Sequence, residues 1–187
     1  MSFSSFLLYV RSAIPVIPWW HWALMVVVSL GAVSWCVIQR DFSIIRSVLL
    51  GISILIGAFL LDATVFNRIG QERIQYSGID LSAEFHRIVD EPVGARIMML
   101  FNVAAFFPFG ISLFAFLSTS KQLGARRCIW RVVLAAATLS VLIEALQWLL
   151  KVGLFELTDI VLNTLGAGIG AVLALGVNRL YNRCRRA

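Results

Sequence analysis

Four polar side chains interrupt two very apolar segments of the 187-residue chain, and their types and spacing could do chemistry. Glu144 and Gln147 lie three residues apart in the first segment, and Asp159 and Asn163 lie four residues apart in the second. Residues three or four positions apart share a helix face, so each pair is predicted to point in one direction. Such a group could orient a polar ligand, and a buried carboxyl could act as a general acid or base.

Glu144 is the candidate centre of function and the candidate catalytic residue, because an acidic side chain near the middle of a membrane helix costs about 2.5 to 3.5 kcal/mol. In a helix over residues 129–150 it would lie about 6 Å beyond the midpoint, and therefore inside the hydrocarbon. A structural interpretation stays open, in which the carboxyl is protonated or paired only to lock helix packing.

The face that carries Asp159 and Asn163 continues to Gly166 and Gly170. This spacing is a small-xxx-small pattern, which lets a second helix approach closely. Gly166 and Gly170 are therefore predicted to pack against another helix, and the polar pair is predicted to face protein and not lipid.

The elements that position these residues follow from the composition. Apolar residues make up 60% of the chain and charged residues only 14%, against about 25% charged in soluble domains. We predict an all-α, polytopic membrane helix bundle with about five transmembrane helices in one domain, residues 1–187. The predicted spans cover residues 19–38, 44–66, 97–117, 129–150 and 160–181.

The segments outside these spans are predicted to lie at the membrane surface. Residues 1–18 are too interrupted by polar groups to span and favour an interfacial helix, and residues 67–96 form the longest polar loop. In that loop Glu84, His86 and Asp90 match no strong ligand spacing, and the three cysteines form no metal motif. No metal and no cofactor is predicted.

The basic residues indicate the orientation of the chain in the membrane. Ten Lys and Arg residues fall on one side of the predicted spans, among them Arg126, Arg127 and Arg131, and six fall on the other. The positive-inside rule then predicts a cytoplasmic C-terminus and an outside N-terminus, with the bilayer and not nucleic acid as the partner of the basic excess. The candidate ligand-binding residues all fall toward the outer leaflet: Arg68, Asn102, Glu144, Gln147, Asp159 and Asn163.

These motifs resemble the VanZ-like family of membrane proteins. Glu144-Ala-Leu-Gln147 followed by Asp159-Ile-Val-Leu-Asn163-Thr-Leu-Gly166-Ala167 is similar to its E-x-x-Q and D-x-x-x-N-T-x-G-A signature. The stretch from Asn102 to Gly110 and the stretch from Thr64 to Arg68 are similar to two further elements, so the resemblance covers about residues 60–175. Many members place an Arg before the Asp, where this chain has Gly153-Leu154 with Lys151 nearby; an anion-binding role would then fall to Arg68.

The resemblance implies a multi-pass protein of the bacterial cytoplasmic (inner) membrane with a cell-envelope function, in a family named for teicoplanin resistance. The leading hypothesis is a non-enzymatic module that binds a lipid-linked envelope intermediate, a glycopeptide-like ligand or a partner membrane protein through the outer polar residues. The alternative is an intramembrane enzyme that acts on a lipid-linked phosphate or sugar substrate, with Glu144 as general acid or base and Arg68 on the phosphate. A proton-coupled transporter is disfavoured, because the spans show no internal repeat.

The predicted orientation can be tested with reporter fusions. Alkaline phosphatase, which is active only outside the cytoplasm, should be inactive when fused at Ala187 and active when fused after Gly153, because these positions lie on opposite sides of the last predicted span. A fluorescent protein should give the inverse pattern. Active phosphatase at Ala187 would reverse the orientation and move the polar residues to the inner leaflet.

Overall fold

A computed structural model describes residues 44–69, 93–119, 123–153 and 155–184, and these residues form helices with short connections. The four long helices are α1 (Ile44–Thr64), α2 (Val93–Ser118), α3 (Ala125–Leu149) and α4 (Leu157–Cys184), and a short 3-10 helix, Phe66–Arg68, follows α1. The described part of the chain contains no strand. The prediction of an all-α helix bundle is confirmed.

Four helices are long and apolar enough to cross a membrane: Ile44–Thr64, Met99–Ser118, Ala125–Leu149 and Leu157–Cys184. They correspond to the last four of the five predicted spans. The first predicted span, residues 19–38, and the interfacial segment, residues 1–18, lie outside the described residues. So do Glu84, His86 and Asp90.

The boundaries of the helices differ from the prediction by a few residues. Helix α2 begins at Val93, four residues before the predicted start of the third span. Arg96, whose charge predicts the end of the loop, lies in the first turn of this helix. The loop predicted over residues 67–96 therefore ends earlier, although most of it lies outside the described residues. Pro108 lies inside α2, and the helix continues through it to Ser118.

The bundle has two ends with different charge. Arg46 at the start of α1 lies 5.4 Å from the ring centroid of Phe116 near the end of α2. At the opposite end, the Gln147 side chain of α3 donates a hydrogen bond to the carbonyl oxygen of Thr64 at the end of α1. Asn102 near the start of α2 contacts Asp159 near the start of α4, so α2 and α4 run parallel, and α1 and α3 run antiparallel to them. We call the end at Arg46 and Phe116 the basic end, and the end at Thr64 and Gln147 the acidic end.

Glycines allow α2 and α4 to pack with their backbones in contact. At three positions a Cβ atom would run into a backbone carbonyl group of the other helix, so only glycine fits without a shift of the helices. These contacts are Gly166 with the carbonyl of Val103, Gly170 with that of Phe107, and Gly110 with that of Ala167. Beside this contact, buried Phe106, Phe114, Val132 and Ile143 form part of the apolar core.

One face of α3 is exposed along the whole helix and indicates its position in the bilayer. Trp130, Leu134, Val141 and Trp148 recur at steps of four and seven residues and are all exposed. Trp130 and Trp148 lie about 27 Å apart at the rise of an α-helix, close to the thickness of about 30 Å of a hydrocarbon core. Because tryptophan favours the two membrane interfaces, these two residues mark the two limits of the span.

Substitution of the glycines tests the contact between α2 and α4. Gly166→Ala and Gly170→Ala should lower the melting temperature of the detergent-solubilised protein, because each new methyl group meets a backbone carbonyl. Gly168→Ala and Gly176→Ala are controls in the same helix, since a Cβ at Gly168 would lie 3.8 Å from Val133 and one at Gly176 would have no neighbour within 4 Å. The controls should match the wild type or gain up to about 1 kcal/mol. Equal melting of all four variants would contradict this helix contact.

Candidate functional site

Glu144 lies on the buried face of α3 near its acidic end. Ser140, Ile143, Glu144 and Gln147 share this face by helical spacing, and Glu144 is only 2% exposed. Its Oε2 atom accepts a hydrogen bond of 3.0 Å from the backbone N–H of Glu156, just before α4 begins. The carboxyl thus holds the connection between α3 and α4 through one of its oxygens.

Gln147 joins three parts of the acidic end. Its Nε2 atom donates to the Thr64 carbonyl oxygen at 3.2 Å, and so satisfies a C-terminal carbonyl of α1 that the helix leaves unpaired. Its own backbone carbonyl accepts from the N–H of Val152 at 2.9 Å. Gly153 lies against its side chain, because a Cβ there would be 2.8 Å from Oε1 of Gln147.

The connection after α3 folds back over the end of this helix. Lys151 adopts a φ of 59°, a left-handed conformation that few residues other than glycine favour, and Val152 beside it is buried. The bonds to Gln147 and Glu144 keep the connection in this position. The end of the connection therefore lies next to the buried carboxyl of Glu144.

Asn102 and Asp159 link α2 to α4. The Nδ2 atom of Asn102 donates a hydrogen bond of 2.6 Å to Oδ1 of Asp159, and both side chains are half-buried. Asp159 lies in the first turn of α4, where the helix dipole stabilises a negative charge. The bond fixes the orientation of the carboxyl at the end of the bundle.

Asn163 lies one turn deeper than Asp159 and joins α4 to α3. Its Nδ2 atom donates to the hydroxyl oxygen of Ser140 at 2.9 Å, and both residues are buried. A buried amide with this partner holds two helices together. Of the six predicted site residues, Asn163 is the one whose contacts indicate most clearly a role in helix packing.

Arg68 lies half-buried in the 3-10 helix that follows α1. Arg68, Asp159 and Glu156 are close enough to Glu144 to act on its carboxyl group electrostatically. The structure thus places all six predicted site residues at the acidic end. Arg68, Glu144 and Asp159 are the ionisable residues at its centre. Asn102 is hydrogen-bonded to Asp159, Gln147 is bonded to the connection after α3, and Asn163 lies one turn deeper than Asp159.

The structure adds three residues that the predicted set lacks. Ser140 lies four residues before Glu144 on the same face, and this spacing could have indicated it. Asp62 is buried near the acidic end of α1, where a carboxyl within an apolar span was a visible signal. Glu156 contributes its backbone N–H to Glu144, and a contact of this kind has no signature in the sequence.

Comparison with known families gives one match. A family model described as VanZ/LLP1 matches residues 48–179, which is more than half of the chain and includes all six predicted site residues. No curated protein and no solved structure matches the chain.

Two substitutions at Glu144 separate its contact with the connection from its charge. Glu144→Ala should destabilise the protein by about 1 to 3 kcal/mol, because it leaves the N–H of Glu156 without an acceptor and removes a buried side chain. Glu144→Gln keeps an acceptor oxygen and should melt close to the wild type. Thr138→Ala, at an exposed position of the same helix, is the control, and thermal unfolding in detergent is the measurement. Equal melting of the Ala and Gln variants would mean that the bond to Glu156 does not stabilise the fold.

Proposed function

Because the chain belongs to the VanZ/LLP1 family, we propose that it is a bacterial inner-membrane protein that binds the polar head of a lipid-linked cell-envelope intermediate at the acidic end of its bundle. The observation that carries the proposal is the arrangement around Glu144, where ionisable side chains from α3, α4 and the segment after α1 lie near one another within one bundle. Polar residues that serve only in helix packing would not require acidic and basic side chains at one place.

The depth of the site supports a lipid-linked ligand. Glu144 lies four residues before Trp148, and therefore about 6 Å deeper along the helix than the membrane interface at the acidic end. A water-soluble ligand would have to leave the headgroup region to reach this carboxyl. The head of a lipid-linked molecule is already held at the membrane surface, so that only a short movement into the bundle is needed.

The chemistry of the side chains supports a head that carries phosphate and hydrogen-bond donors. The guanidinium of Arg68 can bind a phosphate group through two parallel hydrogen bonds, and it lies on the segment after α1, nearer the surface than Glu144. The Oε1 atom of Glu144 can accept a hydrogen bond from a sugar or peptide group of the ligand. Asp159, held by Asn102, provides a second oriented carboxyl beside it.

Binding is favoured over catalysis because the polar side chains of the acidic end also make bonds that hold the fold together. Glu144 holds the connection, Gln147 holds the end of α1, and Asp159 holds α2, so each of these side chains has a structural bond in addition to any contact with a ligand. A general acid or base has to approach the reacting atom freely. Fixed groups of this kind are better suited to orient a polar head.

The test is incubation of the purified protein with lipid-linked envelope precursors, read by mass spectrometry. Retention of the precursor with unchanged mass is the expected result. A change of its mass would replace the binding proposal by the enzymatic alternative with Glu144 as acid or base. No retention and no change would overturn both.

The same assay on variants tests which residues bind. Glu144→Gln and Asp159→Asn should each weaken retention by about ten-fold to a hundred-fold, since a hydrogen bond to a charged group is worth about 1.5 to 3 kcal/mol. Their melting temperatures should stay near that of the wild type. Thr138→Ala should retain the precursor normally. Full retention by both carboxyl variants would remove this cluster as the binding site.

A further inference from the structure

The charged residues of the described part of the chain divide between the two ends of the bundle. All four acidic residues, Asp62, Glu144, Glu156 and Asp159, lie at the acidic end. The basic end carries five exposed arginines without an acidic residue among the described residues there: Arg126, Arg127, Arg131, Arg179 and Arg183.

Among the described residues, no acidic side chain lies near these arginines. From Arg131 to Glu144, the nearest acidic residue along α3, the distance along the helix is about 20 Å, while the Debye length at physiological ionic strength is about 8 Å. The described residues form no ion pair with any of the five. Like charges at one end repel one another, and those in the first turns of α3 also oppose the helix dipole, so an anion from outside the chain would stabilise this end.

The surroundings of the arginines indicate the form of that anion. Arg127, Trp130 and Arg131 share one face of α3 by their spacing of three and four residues, and Leu134 follows on the same face. Trp130 is 57% exposed and Leu134 is 62% exposed. Tryptophan lies at the level of the headgroups, which places the two guanidinium groups at the level of the lipid phosphates and Leu134 beside the acyl chains.

From this arrangement we infer that the basic end binds anionic phospholipids, with Arg127 and Arg131 on the phosphate groups, Trp130 at the glycerol level and Leu134 on the acyl chains. Arginine pairs with phosphate through two hydrogen bonds, and a polar group followed by an apolar one along α3 matches the order of groups in a lipid. Arg179 and Arg183 lie four residues apart near the end of α4 and add a second pair of charges at the same end. This site is separate from the acidic end and does not depend on the ligand proposed there.

Native mass spectrometry can test the inference on the full-length protein. The protein in detergent is titrated with an equimolar mixture of phosphatidylglycerol and phosphatidylcholine of the same chain length, and the ratio of the two bound lipids is measured. The wild type should prefer phosphatidylglycerol. Each arginine near the surface should account for roughly five-fold of this preference, so Arg127→Gln with Arg131→Gln should abolish most of it.

The matched control is Lys151→Gln, which removes an exposed basic residue from the acidic end and should leave the ratio unchanged. A ratio near one in the wild type, an unchanged ratio in the double variant, or an equal loss in Lys151→Gln would each overturn the inference.

Excess inorganic phosphate, added to the same titration, distinguishes the phosphate of a lipid from soluble phosphate as the bound anion. A preference that persists in its presence supports the lipid, and a preference that disappears identifies a site for soluble phosphate instead.

Discussion

Polar groups inside the hydrocarbon must find their partners within the protein, and the acidic end of this bundle is built around that constraint. Glu144 accepts the N–H of Glu156, and Gln147 donates to the carbonyl of Thr64. Both bonds use a backbone group that a helix end or a turn leaves unpaired. The polar side chains therefore close the ends of α1 and α3 and fix the connection to α4, so the residues that could serve a ligand also determine the local fold.

The positions of the polar side chains on α2 and α4 depend on the parallel contact between these two helices. Gly166 and Gly170 bring the two backbones together, and a shift of one helix along the other would bring side chains against the glycines. The bond from Asn102 to Asp159 lies at the start of this contact, and that from Asn163 to Ser140 lies beside it. Close packing in the middle of the membrane thus positions the polar groups near its surface.

Hydropathy and helical spacing were sufficient to predict the helices of the described residues and the shared face of Glu144 and Gln147, because both follow from local sequence. They could not identify what these side chains contact. The partner of Glu144 is a backbone N–H, and the partner of Gln147 is a carbonyl 83 residues away in the chain. Contacts of this kind depend on the tertiary arrangement, which spacing within one segment does not encode. The start of α2 at Val93 was missed for a different reason, since a charged residue can lie within the first turn of a helix at the membrane surface.

The separation of Trp130 and Trp148 also determines how the protein responds to the membrane around it. An average tilt of about 20° reduces the apolar height of α3 from about 27 Å to about 25 Å, less than the thickness of a typical bilayer. Lipids with long acyl chains would have to thin around such a helix, whereas shorter chains would match it. Hydrophobic mismatch would therefore sort this bundle toward thin regions of a membrane, and would do so through its lipid-facing surface alone.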